Sequence, residues 1–414
     1  MSQRHAVTKK LAAAYKQGSR VDKTRMLDEL VGLTDWHRDH ARAALRTAGT
    51  LRVTRPRVPR PPTYTPGVIA ALEVCWALLR TPAGKRLAPM LVLVVPLLRR
   101  DGELVVSDAE AALLVQMSPA SIDRHLAPAR SRLAHRGRSH TKPGSLLKSQ
   151  IPIRTWADWN EDSPGFVEID LVGHEGGNSS GEFCFTLTMT DIATGWTINR
   201  SVKNKAAIWV VEAIDYAASQ FPFPILGIDS DNGSEFINAH LVAYCIDHEI
   251  TFTRSRPGNK NDGCHVEQKN WTHVRELVGY LRFDTAAELE VLNRIWALDM
   301  TYTNYLLTQQ KLTSKERHGA KVIKHHDQAA TPHARTEAHP AIADNNCRKA
   351  MAATLEELSP GELYRSISRL CDRLEAMALA KAPAAVKPRV NRSFNERRQA
   401  EVLGEATNQA SRRF

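Results

Sequence analysis

Between residues 164 and 282 the hydrophobic pattern alternates between a period of two and a helical period. In FVEIDLV (166–172), Val167, Ile169 and Leu171 face one way and Glu168 and Asp170 the other, which predicts a strand. EFCFTLTMTDIATGWTINRSV (182–202) supplies two more strands, with D-x-x-T-G at 191–195 as the hairpin turn. Residues 205–220 suit an amphipathic helix, ILGID (225–229) a short buried strand, SEFINAHLVAYCIDH (234–248) a helix and EITFTR (249–254) a strand. SRPGNKNDG (255–263) reads as a loop, and a helix from about 264 carries Glu267, Trp271, Val274 and Val278 on one side. The order β-β-β-α-β-α-β-α predicts an α/β domain.

The first 150 residues show only helical periodicity. In 23–46, Leu27, Leu30 and Val31 share one helix face, Gly32 permits a turn and Thr34 caps a second helix, a helix-turn-helix-like layout. A second such layout spans 107–132. Ser107 and Glu110 form a capping box, Ser118 caps the following helix with Pro119 at its first position, and Ile122 and Leu126 form its apolar face. Pro128 is expected to end or kink that helix. Ser121 and Arg124 then project outward, as DNA-reading side chains do on a recognition helix. LAPMLVLVVPLL (87–98) reads as a buried helix, and the Pro- and Arg-rich 51–66 and the basic 130–148 read as linkers. Beyond 310, KLTSKERHGAKVIKHH suggests a small basic β element. S-P-G-E (359–362) opens a helix with Ile367, Leu370 and Leu374 as its stripe, and a basic tail follows 385. The expected domains are 1–50, 51–150, 151–310 and 311–414.

Charge changes this picture by its distribution. Residues 1–150 hold 26 Lys and Arg against 11 Asp and Glu, residues 151–310 hold 11 against 22, and residues 311–414 hold 19 against 12. Basic ends imply a polyanionic partner, most simply nucleic acid, and an acidic middle repels that partner unless cations intervene. The six cysteines form no C-x-x-C pair, so neither a zinc ribbon nor a disulfide framework is indicated. No signal-peptide pattern or membrane-length apolar run is present, and a cytoplasmic protein associated with the bacterial nucleoid is expected.

The acids of the middle block fall in three places. Asp170 lies inside the first strand, Asp231 where the fourth strand ends, and Glu267 in the first turn of a later helix, 35 residues beyond Asp231. Sites in α/β sheets gather where strands end and helices begin. Two carboxylates about 4 Å apart repel by about 4 kcal/mol at an effective dielectric of 20, so they remain ionised together only with cations between them. Mg²⁺ or Mn²⁺ suits such all-oxygen ligands, and two such ions serve the attacking and leaving oxygens of a phosphodiester. Within IDSDNGSEF (228–236), Asp231 begins the turn, Asp229 lies one pleat back in a supporting position, and Glu235 opens the next helix.

EIDLVGH, SDNGSEF and DGCHVEQKN resemble the three catalytic motifs of the DDE integrase core, shared by bacterial insertion-sequence transposases and retroviral integrases, and the 35-residue gap is similar to the family's D,D(35)E spacing. The resemblance implies a ribonuclease-H-like core with N-terminal helix-turn-helix domains and a basic C-terminal region. It implies Asp170, Asp231 and Glu267 as catalytic metal ligands, two Mg²⁺ or Mn²⁺ ions, and strand transfer by a homo-oligomer on double-stranded DNA. The DNA would be the element's terminal repeats and a target. Ser121, Arg124, Asn259, Lys260, Asn261 and Lys269 are the expected DNA contacts. Two other functions fit less of the pattern: a DNA-binding repressor with an inactive core, and a metal-dependent nuclease without strand transfer. The chain lacks the zinc-binding His-His-Cys-Cys domain of retroviral integrases and has Trp271 where those carry a DNA-contacting lysine.

Overall fold

The structure, a computed structural model, describes residues 3–48, 62–133, 162–254 apart from 232 and 234, Val266, and 269–381 apart from 320, 343 and 344. The linker segments at 51–61 and 134–148 and the tail past 385 lie outside the described residues. The chain forms two compact units, Met1–Thr63 and Tyr64–Phe414.

In the first unit three helices, α1 (Gln3–Gln17), α2 (Arg20–Thr34) and α3 (Arg38–Thr47), enclose a small core of Tyr15, Leu27, Leu30, Ala41 and Leu45. Two details differ from the sequence expectation. Gly32 lies inside α2, and Thr34 ends that helix, its hydroxyl donating to the Leu30 carbonyl at 2.6 Å. The turn falls instead at Asp35, in the left-handed region at φ 56°, which a short polar side chain tolerates, and His37 caps α3.

The second unit opens with α4 (Pro66–Leu78), α5 (Gly84–Arg100), α6 (Asp108–Val115) and α7 (Pro119–Leu133). The Ser107–Glu110 capping box is present in both directions, and the Ser118 hydroxyl accepts the Ser121 N–H at 3.3 Å. α7 continues through Pro128 to Leu133. The proline removes one helical donor, but Ile122, Leu126 and Ala129 are fully buried around it, and their packing carries the helix past the loss. α5 likewise contains Pro89 and Pro96.

The sheet comprises β1 (Phe166–Gly173), β2 (Phe185–Asp191), β3 (Thr197–Val202), β4 (Gly227–Ser230) and β5 (Thr251–Arg254), in the order β3-β2-β1-β4-β5. β1 pairs antiparallel with β2 and parallel with β4, a mixed ribonuclease-H-like sheet. The turn at 191–195 forms as expected. Asp191 accepts from the Thr194 N–H and hydroxyl, both at 2.7 Å, and from the Gly165 N–H at 2.8 Å, while Gly195 has φ 77°. α8 (Ala207–Ser219) covers the apolar face around Leu187 and Ile198. α9 starts late, as Ala239–Asp247, because Asn238 takes the capping position and accepts the Leu241 N–H at 3.0 Å.

The other face is polar yet buried, and a long helix, Ala286–Leu306, lies against its outer strand. β3 is an edge strand, and two asparagines of this helix complete it. Asn304 accepts the Thr197 N–H and donates to the Thr197 carbonyl, both at 2.9 Å. Asn293 does the same for Ser201, at 2.8 and 3.1 Å. Each side-chain amide thus stands in for the peptide of a missing neighbour strand. The same helix reaches the N-terminal helices of its unit through a nearly buried Arg80–Asp299 pair at 2.5 Å and a hydrogen bond from the Tyr302 hydroxyl to the Leu78 carbonyl.

The basic element after 310 is an antiparallel ribbon, β6 (Leu312–His318) and β7 (Lys321–His326). The helix opened by S-P-G-E runs Pro360–Ala380 and buries Ile367 and Leu374, with Leu370 partly buried. No helix among the described residues is long and apolar enough to cross a membrane.

Asn304 is completely buried, so Asn304→Ala strands a backbone N–H and a carbonyl without water. Such groups cost about 1–3 kcal/mol each, and urea denaturation is expected to show a loss of about 2–4 kcal/mol. Asn293→Ala, at a partly solvated position, is expected to cost less.

Candidate active site

β1 and β4 run in parallel, and their last paired row sets Ile169 against Ser230. Asp170 and Asp231 each follow that row directly, Asp170 still within β1 and Asp231 just past the end of β4. Asp170 is partly buried. Its Oδ1 accepts the Leu171 N–H at 2.8 Å, and its Oδ2 accepts from the Asn270 side-chain amide at 2.5 Å.

Asp231 leaves the sheet and is exposed at the strand's carboxyl end. Its Oδ1 accepts the Gly233 N–H at 2.8 Å. A side chain at 233 would put a Cβ 2.8 Å from that oxygen and 2.8 Å from Glu235 Cδ, so glycine is what lets two carboxylates close on the backbone. Protein packed around Asp231 removes enough water to hold its carboxyl above the usual range; the Gly233 N–H opposes that rise and the Glu235 charge adds to it.

Asp229 is 1% exposed and accepts the Thr253 hydroxyl at 2.6 Å. Glu168, on the same sheet face as Asp170, is equally buried and accepts the Val266 N–H at 3.1 Å. Val266 and Asn270 therefore tie the chain on both sides of residue 267 to β1. Glu267 itself, with Asn259, Lys260 and Asn261, lies outside the described residues. No group of three or more His, Cys, Asp or Glu able to hold a metal occurs among the described residues.

Asn270–Arg275 is a π-helical turn that continues into an α-helical one, Glu276–Val278. The wider turn breaks the expected stripe: Val274 and Val278 are buried, whereas Trp271 is 50% exposed. Lys269 is 9% exposed, and burial, followed by the charges of Arg86, Arg335 and Lys311, pushes its ammonium down to about 7. Arg124 is exposed on α7, and Ser121 is partly buried beside Ser118.

Asn270 and Thr253 were not singled out from sequence. Asn270 had a signal: it closes the quoted motif DGCHVEQKN three residues after Glu267. Thr253 had only its place in a strand pattern.

These positions gather carboxylates where β1 and β4 end their pairing. Residues 161–260 match the integrase core domain family. The uncharacterized protein y4rM of Sinorhizobium fredii is 38% identical over 344 residues, which cover 81% of this chain and 95% of that protein. The chain belongs to the integrase core family. Among solved structures, it is similar to the HTLV-2 integrase catalytic core domain in complex with magnesium, at 16% identity and a TM-score of 0.27 over 35% of this chain and 90% of that one. It is likewise similar to the catalytic core domain of BIV integrase, at 16% identity and a TM-score of 0.28 over 41% and 91%.

The raised Asp231 carboxyl has a consequence for stability. The folded state binds its proton more tightly than the unfolded chain does. That contribution is complete below the ordinary carboxyl value and is lost as pH rises through the folded value. At neutral pH the ionised group therefore costs stability. Asp231→Asn keeps an acceptor for Gly233 and is expected to raise the melting temperature at pH 7 in chelator-treated buffer. The gain should disappear on acidification to the ordinary carboxylate range, as followed by thermal melts across pH.

Proposed function

We propose that this protein is a DDE transposase, which cleaves DNA at the ends of a mobile element and joins the freed ends to target DNA. The observation that carries the reading is that Asp170 and Asp231 each follow the last paired row of the parallel strands β1 and β4, with the chain flanking Glu267 tied to the same β1. Membership of the integrase core family supports a polynucleotidyl-transferase chemistry.

The residues present fit a hard divalent cation. The donors are carboxylate oxygens, and burial together with the Glu235 charge raises the Asp231 carboxyl, a cost that a bound cation would offset. In this reading Asp170, Asp231 and Glu267 hold Mg²⁺ or Mn²⁺. The chemistry supplied by the bound ions is activation of the attacking oxygen and stabilisation of the leaving oxygen of a phosphodiester. Asn270 fixes the rotamer of Asp170 through one oxygen, and the Gly233 N–H fixes Asp231. Asp229, hydrogen-bonded inside the sheet, supports without contacting substrate. The nucleophile is water for cleavage and then the freed 3′-hydroxyl for joining. Arg124 and the loop residues Asn259, Lys260 and Asn261 contact DNA, with terminal-repeat recognition by the helix-turn-helix segments of a multimer that pairs two ends.

Incubation of the full chain with a pre-cleaved end fragment, plasmid and Mn²⁺ tests this reading. A joined product is expected; nicking alone would indicate a nuclease, and no reaction a DNA-binding protein with an inactive core. Asp170→Asn, Asp231→Asn and Glu267→Gln should each abolish joining, Asp229→Asn should reduce it partially and Glu235→Gln should change it little. Full joining by Asp231→Asn, or by wild type in EDTA, would refute the assignment.

A further inference from the structure

The β6–β7 ribbon is built unlike the rest of the molecule. β7 exposes every residue except Ile323, which is partly buried, and Leu312, Glu316, Arg317 and His318 of β6 are exposed as well. A two-stranded ribbon without a packed face is marginal in water. In its register Arg317 lies opposite Val322 and gains no cross-strand charge partner there. Glu316 lies on the other face, 3.5 Å from His318 Nε2 and 3.4 Å from His325 Nε2, leaving Arg317 and Lys324 on a face without an acid.

The root of the ribbon, by contrast, is fastened. The Lys311 N–H donates to Asp327 Oδ1 at 2.6 Å, and the Asp327 N–H returns to the Lys311 carbonyl at 3.0 Å. Arg335 pairs with Asp327 at 2.6 Å, Gln309 bridges to Ala330, and the Lys311 ammonium donates to the Ala193 carbonyl. A fixed base and an unpacked basic blade describe an arm held out for a polyanion.

We propose that the ribbon is a docking arm that enters the major groove of duplex DNA. The proposal rests on the reading that the substrate is DNA. Width selects the groove: two strands about 4.8 Å apart with side chains on both faces suit the major groove, about 12 Å wide, and not the minor groove, about 6 Å. The ribbon has the length for this: β6 spans seven residues, or about 24 Å. Charge selects the partner: lysines along a strand discourage edge pairing with a second chain and attract phosphates.

The test compares the full chain with the triple variant R317A/K321A/K324A, whose altered side chains are all exposed. Binding to a long mixed-sequence duplex is measured across salt concentrations, with dimethyl sulfate protection of guanine N7 as the major-groove readout. The variant should keep its melting temperature, lose the protection and bind at least about tenfold more weakly at low salt, with the slope of log K against log salt smaller by about 2.7. Unchanged slope and protection would overturn the arm while leaving the transposase reading intact, as would a changed oligomeric state with unchanged DNA binding. A wild-type protein that binds no duplex would overturn both, and metal-dependent joining tests the catalytic reading separately.

Discussion

One face of the central sheet is lined by Glu168, Asp170, Thr186, Thr188, Thr190, Thr197, Asn199, Ser201, Asp229 and Thr253, and all but Asp170 are buried. Sheets covered on both faces normally read as apolar runs. Here polar groups are sealed away from water, where an unmade hydrogen bond is costly. Most find partners in one another and in the covering segments, whereas the Thr188 hydroxyl and the Asn199 carbonyl oxygen find none among the described residues. Thr186 bonds to Ser201, Ser201 accepts from the Trp296 indole at 2.7 Å, and Glu168 accepts from Val266. Asp170, at the rim of this face, is oriented by the Leu171 N–H on one oxygen and the Asn270 amide on the other.

The covering helix Ala286–Leu306 meets three requirements at once. Its asparagines close the β3 edge, its tryptophan satisfies Ser201, and Asp299 neutralises Arg80 from the helical layer. A buried pair of this kind adds little net stability but is costly to break from one side, so it favours a single arrangement of the two layers. The helices from Tyr64 onward and the sheet consequently share one compact unit. Precision at the carboxylates depends on residues more than 100 positions away in sequence.

How much of this was legible follows from which interactions are local. Strand alternation in FVEIDLV, the Ser107–Glu110 capping box and the Asp191 turn are set by neighbours within a few residues, and each forms as read. Where the structure differs, the local rule is overridden. The intrinsic preferences of Gly32 and Pro128 yield to packing: α2 runs through its glycine, and α7 keeps its proline because three buried residues hold the turn. The α-helical period that puts Trp271 in line with Val274 and Val278 fails because the turn there is π-helical and leaves Trp271 exposed. Asp170 and Asp231 are singled out by the sequence because one sits inside a strand pattern and the other where one ends, and each follows the last paired row of β1 and β4. Asn270 and Thr253 act across 100 and 24 residues, and their partners have no signature along the chain.

The site also inverts the usual relation between stability and charge. Gly233 lets Asp231 and Glu235 approach the same backbone, and the surroundings raise the Asp231 carboxyl instead of neutralising it. A fold selected only for stability would place a lysine or arginine there. Lys269 comes close in sequence, yet it is buried beside other cations that push its ammonium down to about 7. It therefore contributes less positive charge than an ordinary lysine. Asp231 is thus held above the ordinary carboxyl range while the Gly233 N–H fixes its position, and Asn270 fixes that of Asp170. Fixed position with a carboxyl that favours its proton suits a centre whose counter-charge arrives from outside the chain.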